Sequence, residues 1–131
     1  MYMGHQGFTA SASRRYAAID TGSRIEGASP HQLVKILFEE LLRSLDAATH
    51  AERNEDRVRA SEKQTRALSI LHALETSLDF QRGGEIAVGL SQIYRESRRL
   101  ILSSAQSHTV DSMVRARGML AEISDAWSQI G

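Results

Sequence analysis

The chain has 131 residues, 41% of them hydrophobic, enough for one domain with a sizeable core. Sixteen Lys and Arg balance sixteen Asp and Glu, so the basic excess by which a nucleic-acid binder neutralises phosphates is missing. The absence of cysteine excludes a disulfide framework and a thiolate metal site, and one proline with few aromatics argues for an all-α fold.

No apolar run approaches the ~18 residues that a membrane-spanning helix needs, so membrane insertion is not expected. The start, Met1-Tyr2-Met3-Gly4-His5, lacks the charged and apolar regions of a signal peptide, which makes the cytoplasm the default location. Residues 1–28 form an irregular lead with four glycines and scattered apolar residues. Its first dozen residues read as a flexible tail. Tyr16 and Ile19, three apart, share one face of a helical turn, so a short docking segment is weighed against disorder for residues 13–25.

The four-helix portion, residues 29–131, begins at Ser29-Pro30. Serine is a strong N-cap, and proline is tolerated at the first helical position, where its missing N–H has no partner to lose. Leu33, Ile36, Leu37, Leu41, Leu45 and Ala48 then recur at helical spacing, with Val34, Phe38 and Leu42 widening the face beyond what one neighbour covers. Charged residues 52–56 form a turn, with Asn54 or Asp56 as the next cap. A second helix over about 57–80 carries Leu68, Leu71, Leu74 and Leu78. Gly83-Gly84 then reads as a tight reversal. Gly83 is expected to close the second helix in the left-handed conformation, and Gly84 to start the third. Ile86, Leu90, Ile93, Tyr94, Leu100 and Ile101 mark that third helix. Thr109 is the expected cap of a fourth, with Met113, Leu120, Ile123, Trp127 and Ile130 on its inward face. The fold class is therefore all-α, an antiparallel up-down four-helix bundle with a loosely docked N-terminal segment. Each helix is expected to run about 30–36 Å at 1.5 Å per residue.

Nothing in the sequence reads as catalytic, and neither metal nor cofactor is implied. No histidine belongs to a Glu-x-x-His pair of the kind that builds a di-metal bundle. Asp46 and His50 share a helix face, but two ligands make no site. The alternative of a different class is histidine phosphotransfer through His72, since phosphotransfer domains are also helical bundles. They carry Lys and Gly where this chain has Glu75 and Thr76, and a carboxylate beside a phosphoryl group opposes transfer by like-charge repulsion. Arg95, Arg98 and Arg99 read as a solvated face partly neutralised by Glu96. Trp127 is expected to plug one end of the core with its indole N–H on a partner. What the pattern does offer is grooves: the apolar stripes are broader than a four-helix core consumes, and leftover grooves suit an amphipathic helix or an extended segment of another protein.

Four motifs in order, Ala28-Ser29-Pro30-His31-Gln32-Leu33, Gly83-Gly84-Glu85-Ile86-Ala87, Leu90-Ser91-Gln92-Ile93-Tyr94 with Arg98-Arg99-Leu100, and Ile123-Ser124-Asp125-Ala126-Trp127, resemble the flagellar secretion chaperone family, FliS. The likeness covers roughly residues 14 to 131. It departs at Ser13, at Glu39-Glu40 and at Ser97, where the family has an apolar residue, Asp-Gly and an aromatic. The resemblance implies a cytoplasmic, non-enzymatic chaperone that binds the disordered C-terminal segment of flagellin, prevents premature polymerisation and assists delivery to the flagellar type III export gate. It also implies that the N-terminal segment, through Tyr16 and Ile19, covers part of the binding surface. The expected client surface joins Leu71, Leu74 and Leu78 to Ile86, Leu90, Ile93 and Tyr94. Left bare, such a surface favours weak self-association.

Overall fold

A computed structural model describes residues 25–130. Four helices follow one another: α1 (Pro30–Arg53), α2 (Arg57–Thr76), α3 (Phe80–Ser107) and α4 (Asp111–Ser128). Each packs on the next and α4 closes back on α1, giving the ring of a four-helix bundle. Ion pairs between neighbouring helices fix the antiparallel sense. Arg66 meets Glu40 at 2.8 Å while Arg57 meets Glu52 at 2.6 Å, and Arg117 meets Asp46 at 3.0 Å while Trp127 reaches back to His31.

Local chemistry explains most of the ends. Ser29 caps α1 in a capping box: its Oγ accepts from the Gln32 amide at 3.1 Å, and the Ser29 amide donates to Gln32 Oε1 at 3.0 Å. Between α1 and α2, Glu55 takes a positive φ of 59° and Asp56 caps α2 by accepting from the Arg59 amide. α3 ends at His108, which is left-handed with φ 56°. The start of α4 differs from the expectation at Thr109. The N-cap position falls on Val110 without a side-chain cap, and the buried Ser104 hydroxyl of α3 accepts from the Met113 amide at 2.8 Å instead. α4 also has only 18 residues, about 27 Å, shorter than expected.

The core runs the length of the bundle. Leu37, Leu41, Leu45, Ile70, Leu71, Ile101, Met113 and Leu120 are all fully buried. It extends past the expected start of the bundle, because Ile25 is only 3% exposed and packs into the same cluster. Glu40, itself buried, is held by Arg43 and by Arg66. Glu52, also buried, is held by Arg57 and lies 3.4 Å from His108 Nδ1, tying two loops together at one end.

The α2–α3 corner is built differently from its sequence reading. α2 stops at Thr76, not at Phe80. The Ser77 hydroxyl donates to the Leu74 carbonyl at 2.7 Å, and Asp79 Oδ1 accepts from the amides of Gln81 and Arg82, both at 3.1 Å. That carboxylate starts a single helical turn, closed by Gly83 N–H donating to Asp79 O at 2.8 Å. The break follows at Gly84, whose φ of 52° and ψ of −126° lie in a region open essentially to glycine alone. Gly83 is not left-handed. Its role is space: a Cβ there would sit 2.9 Å from the Ala87 Cβ. The reversal is thus spread over Ser77–Gly84, and α3 proper runs from Glu85.

Candidate client-binding cleft

The drawn-out corner leaves an opening at the end of the bundle where α1 starts and α4 finishes. A turn joining α2 and α3 directly would let their ends close together. Here the turn 80–83 stands off, and a cleft of about 470 Å³ lies beneath it. α1 contributes Val34 and Phe38, α2 contributes Leu74 and Leu78, α3 contributes Ile86, Leu90 and Tyr94, and the end of the chain adds Ile123, Trp127 and Ile130. Among the described residues, Asp79 and Arg82 are the only ones with charged side chains that line it, beside aromatic and aliphatic neighbours. The floor is rigid, since Phe38 and Leu74 are each 1% exposed and Tyr94 is 3% exposed. The walls are open, since Ile86 is 75% and Ile130 60% exposed.

Five residues expected at a client surface are brought together here: Leu74, Leu78, Ile86, Leu90 and Tyr94. Leu71 is elsewhere, fully buried in the core. Ile93 is half-buried and does not line the cleft. Tyr16 and Ile19 lie outside the described residues. The sequence reading missed the contributions of α1 and α4. Val34 and Phe38 had shown only as extra width on the first helix, and that width is the signal that could have placed them. Trp127 does sit at one end of the core, with its indole Nε1–H donating to the His31 carbonyl at 3.0 Å and its ring stacked on His31 at 4.6 Å.

Electrostatics set the character of the site. Burial pushes the Tyr94 phenol up to about 12, so at neutral pH it is an uncharged member of an apolar floor. Phe38 lies beside it, with ring centroids 6.5 Å apart. On the outer side of α3 the arginines are paired. Arg98 meets Glu75 at 2.5 Å with Arg95 on the same carboxylate at 3.8 Å, and Arg99 meets Glu96 at 2.6 Å. The hydrogen bond from Arg99 holds the Glu96 carboxyl below its ordinary range. His72 is exposed on α2, and Asp46 pairs with Arg117. Among the described residues no group of three or more metal-ligating side chains comes together, and no helix is long and apolar enough to cross a membrane. The lining of the cleft is suited to large apolar side chains.

The family described as "Flagellar protein FliS" matches residues 12–131. The chain is 33% identical over 124 residues to the flagellar secretion chaperone FliS of Salmonella typhimurium, covering 94% of this chain and 92% of that one. It is 24% identical to the flagellar secretion chaperone FliSB of Pseudomonas aeruginosa over 123 residues, 94% of this chain and 98% of that one. It is 25% identical over 123 residues to FliS of Escherichia coli K12, covering 93% and 90%. The chain belongs to the FliS family of flagellar proteins, whose relatives named here are flagellar secretion chaperones.

Proposed function

We propose that this chain is a cytoplasmic chaperone that binds the disordered C-terminal segment of flagellin, keeps the subunit from polymerising early and helps deliver it to the flagellar type III export gate. The observation that carries this reading is the apolar cleft under the α2–α3 corner in a chain that belongs to a family of flagellar secretion chaperones. A segment that folds as it binds loses ~2–5 kcal/mol of interaction energy to its own ordering. A preformed floor of buried Phe38, Leu74 and Tyr94 helps offset that, because the chaperone side has little left to order. The ordering cost that is not offset lowers affinity, which suits a chaperone that has to release its client at the gate.

The N-terminal segment supplies the second control. Tyr16 and Ile19 would cover the cleft when no client is present, which lowers apparent affinity in proportion to the fraction of time the cleft is free. The chain enters the bundle at Ile25, close to the start of α1 and hence at the cleft's end of the molecule. Calorimetric titration with the C-terminal segment of the flagellin from the same organism tests the reading. Saturable binding is expected, and removal of residues 1–24, which spares the buried Ile25, should leave it undiminished or tighter. Absence of heat with both the full and the shortened chain would sink the proposal.

A further inference from the structure

The wall of the cleft supplied by α4 is held far more loosely than the rest of that helix. Residues 111–120 bury Met113, Ala116 and Leu120 completely, take the buried bond from Met113 N–H to Ser104 Oγ, and clasp Asp46 through Arg117 with both guanidinium contacts, at 3.0 and 3.2 Å. Beyond Leu120 no residue through Ile130 is buried, although the half-buried Ile123 still packs against the core. Among the described residues, one hydrogen bond ties this stretch to another helix, from Trp127 Nε1–H to the His31 carbonyl, beside the Trp127–His31 stack. At the junction stands Gly118, an exposed mid-helix glycine whose added Cβ would meet nothing within 4 Å. Packing does not require it, and glycine is the weakest helix former after proline.

We propose that residues 121–130 are a displaceable wall of the cleft, which unwinds beyond the buried Leu120, where the nearby Gly118 weakens the helix, and is latched by Trp127 on His31, and which the client segment pushes aside as it enters. The latch is built to let go. His31 lies in the first turn of α1, where its carbonyl already accepts the helix bond from four residues on, so Trp127 is a second donor and its departure strands no acceptor. The indole N–H passes to water. The closed latch also leaves His31 Nε2 buried without a partner, and opening hydrates it. When the wall moves, Ile123, Trp127 and Ile130 move with it, so the cleft widens on its α4 side while Phe38, Leu74 and Tyr94 stay fixed.

The role of the client rests on the chaperone reading above; the hinge itself does not. Amide hydrogen exchange of the free full-length chain tests the hinge alone. It should show a step just beyond Leu120, with residues 121–128 exchanging at least tenfold faster than 111–117. Gly118→Ala should slow exchange of 121–128 about fivefold, the equivalent of ~1 kcal/mol at 1.4 kcal/mol per factor of ten, and leave 111–117 unchanged. Trp127→Phe keeps a ring but removes the donor, and should speed exchange of 121–128 by about threefold to tenfold. A smooth decline in protection towards the end of the helix, or an alanine effect spread evenly over α4, would overturn the hinge. With the flagellin C-terminal segment added, association should be slower for Gly118→Ala and faster for Trp127→Phe, and the fluorescence of the single tryptophan should change on binding. Calorimetric binding without any of those changes would overturn the displacement while sparing the chaperone reading. No calorimetric binding would refute the client's part in it, whatever the exchange pattern shows.

Discussion

Two residues that look alike in the sequence should separate completely on truncation to alanine. Leu71 and Ile86 both belong to helical stripes, yet Leu71 is 0% exposed and Ile86 75% exposed at the cleft. Full burial of an isoleucine side chain contributes about 1.5–3 kcal/mol. Folding has used only about a quarter of that for Ile86, so Ile86→Ala should cost roughly 0.5 kcal/mol of stability. The other three quarters are available to a client, and losing them should weaken binding by about 1–2 kcal/mol, or ~5–30-fold in Kd. Leu71→Ala leaves a cavity in the core and should cost ~2–5 kcal/mol of stability. Urea unfolding gives the first quantity and calorimetry with the flagellin C-terminal segment the second. The reasoning fails if Ile86→Ala binds as tightly as the parent, or if it destabilises the fold as much as Leu71→Ala does.

Three further outcomes follow from the structure. Glu40→Gln removes the buried carboxylate that Arg43 and Arg66 share, and should lower stability by about 1–3 kcal/mol in urea titration because two charge-assisted bonds to one buried group become neutral ones. Gly84→Ala forces a side chain into φ 52°, ψ −126°, and should cost at least ~1 kcal/mol, whereas alanine at the mid-helix Gly89, with open space around it, should cost nothing. Tyr94 has a phenol raised to about 12 by burial against an ordinary 10.0, so the unfolded chain ionises first. Its contribution is complete below pH 10 and is lost as pH rises towards 12, at no more than ~1.4 kcal/mol per pH unit, and Tyr94→Phe should remove that part of the alkaline slope.

The parts of the fold that were legible in the sequence are those where one local signal acts alone. The Ser29-Pro30 start of α1 is such a case, since serine, proline and Gln32 agree on one capping box. So is Trp127, whose mixed apolar and polar character calls for a half-buried place with a partner for its N–H. The α2–α3 corner was misread because two signals compete there. The leucine period runs on through Leu78, which still faces the cleft, while Ser77 and Asp79 divert the backbone through side-chain bonds that periodicity does not register. The double glycine was rightly seen as a break, but the break and the end of α2 are separate events. α1 and α4 were missed at the cleft because apolar residues lining a groove and apolar residues filling a core have the same spacing. Val34 and Leu33 differ only in which side of one helix they occupy, and only the packed neighbours reveal it.

The central claim is that the client's apolar side chains enter the cleft beneath the α2–α3 corner. Methyl NMR of the complex between the full-length chain and the C-terminal segment of flagellin tests it most directly. The account predicts intermolecular contacts at the methyls of Leu78, Ile86, Leu90 and Ile130, with those of the buried Leu41, Leu45 and Ile101 unmoved. Contacts confined to another face, such as the exposed Val58 or Leu102, with the cleft methyls undisturbed, would contradict it.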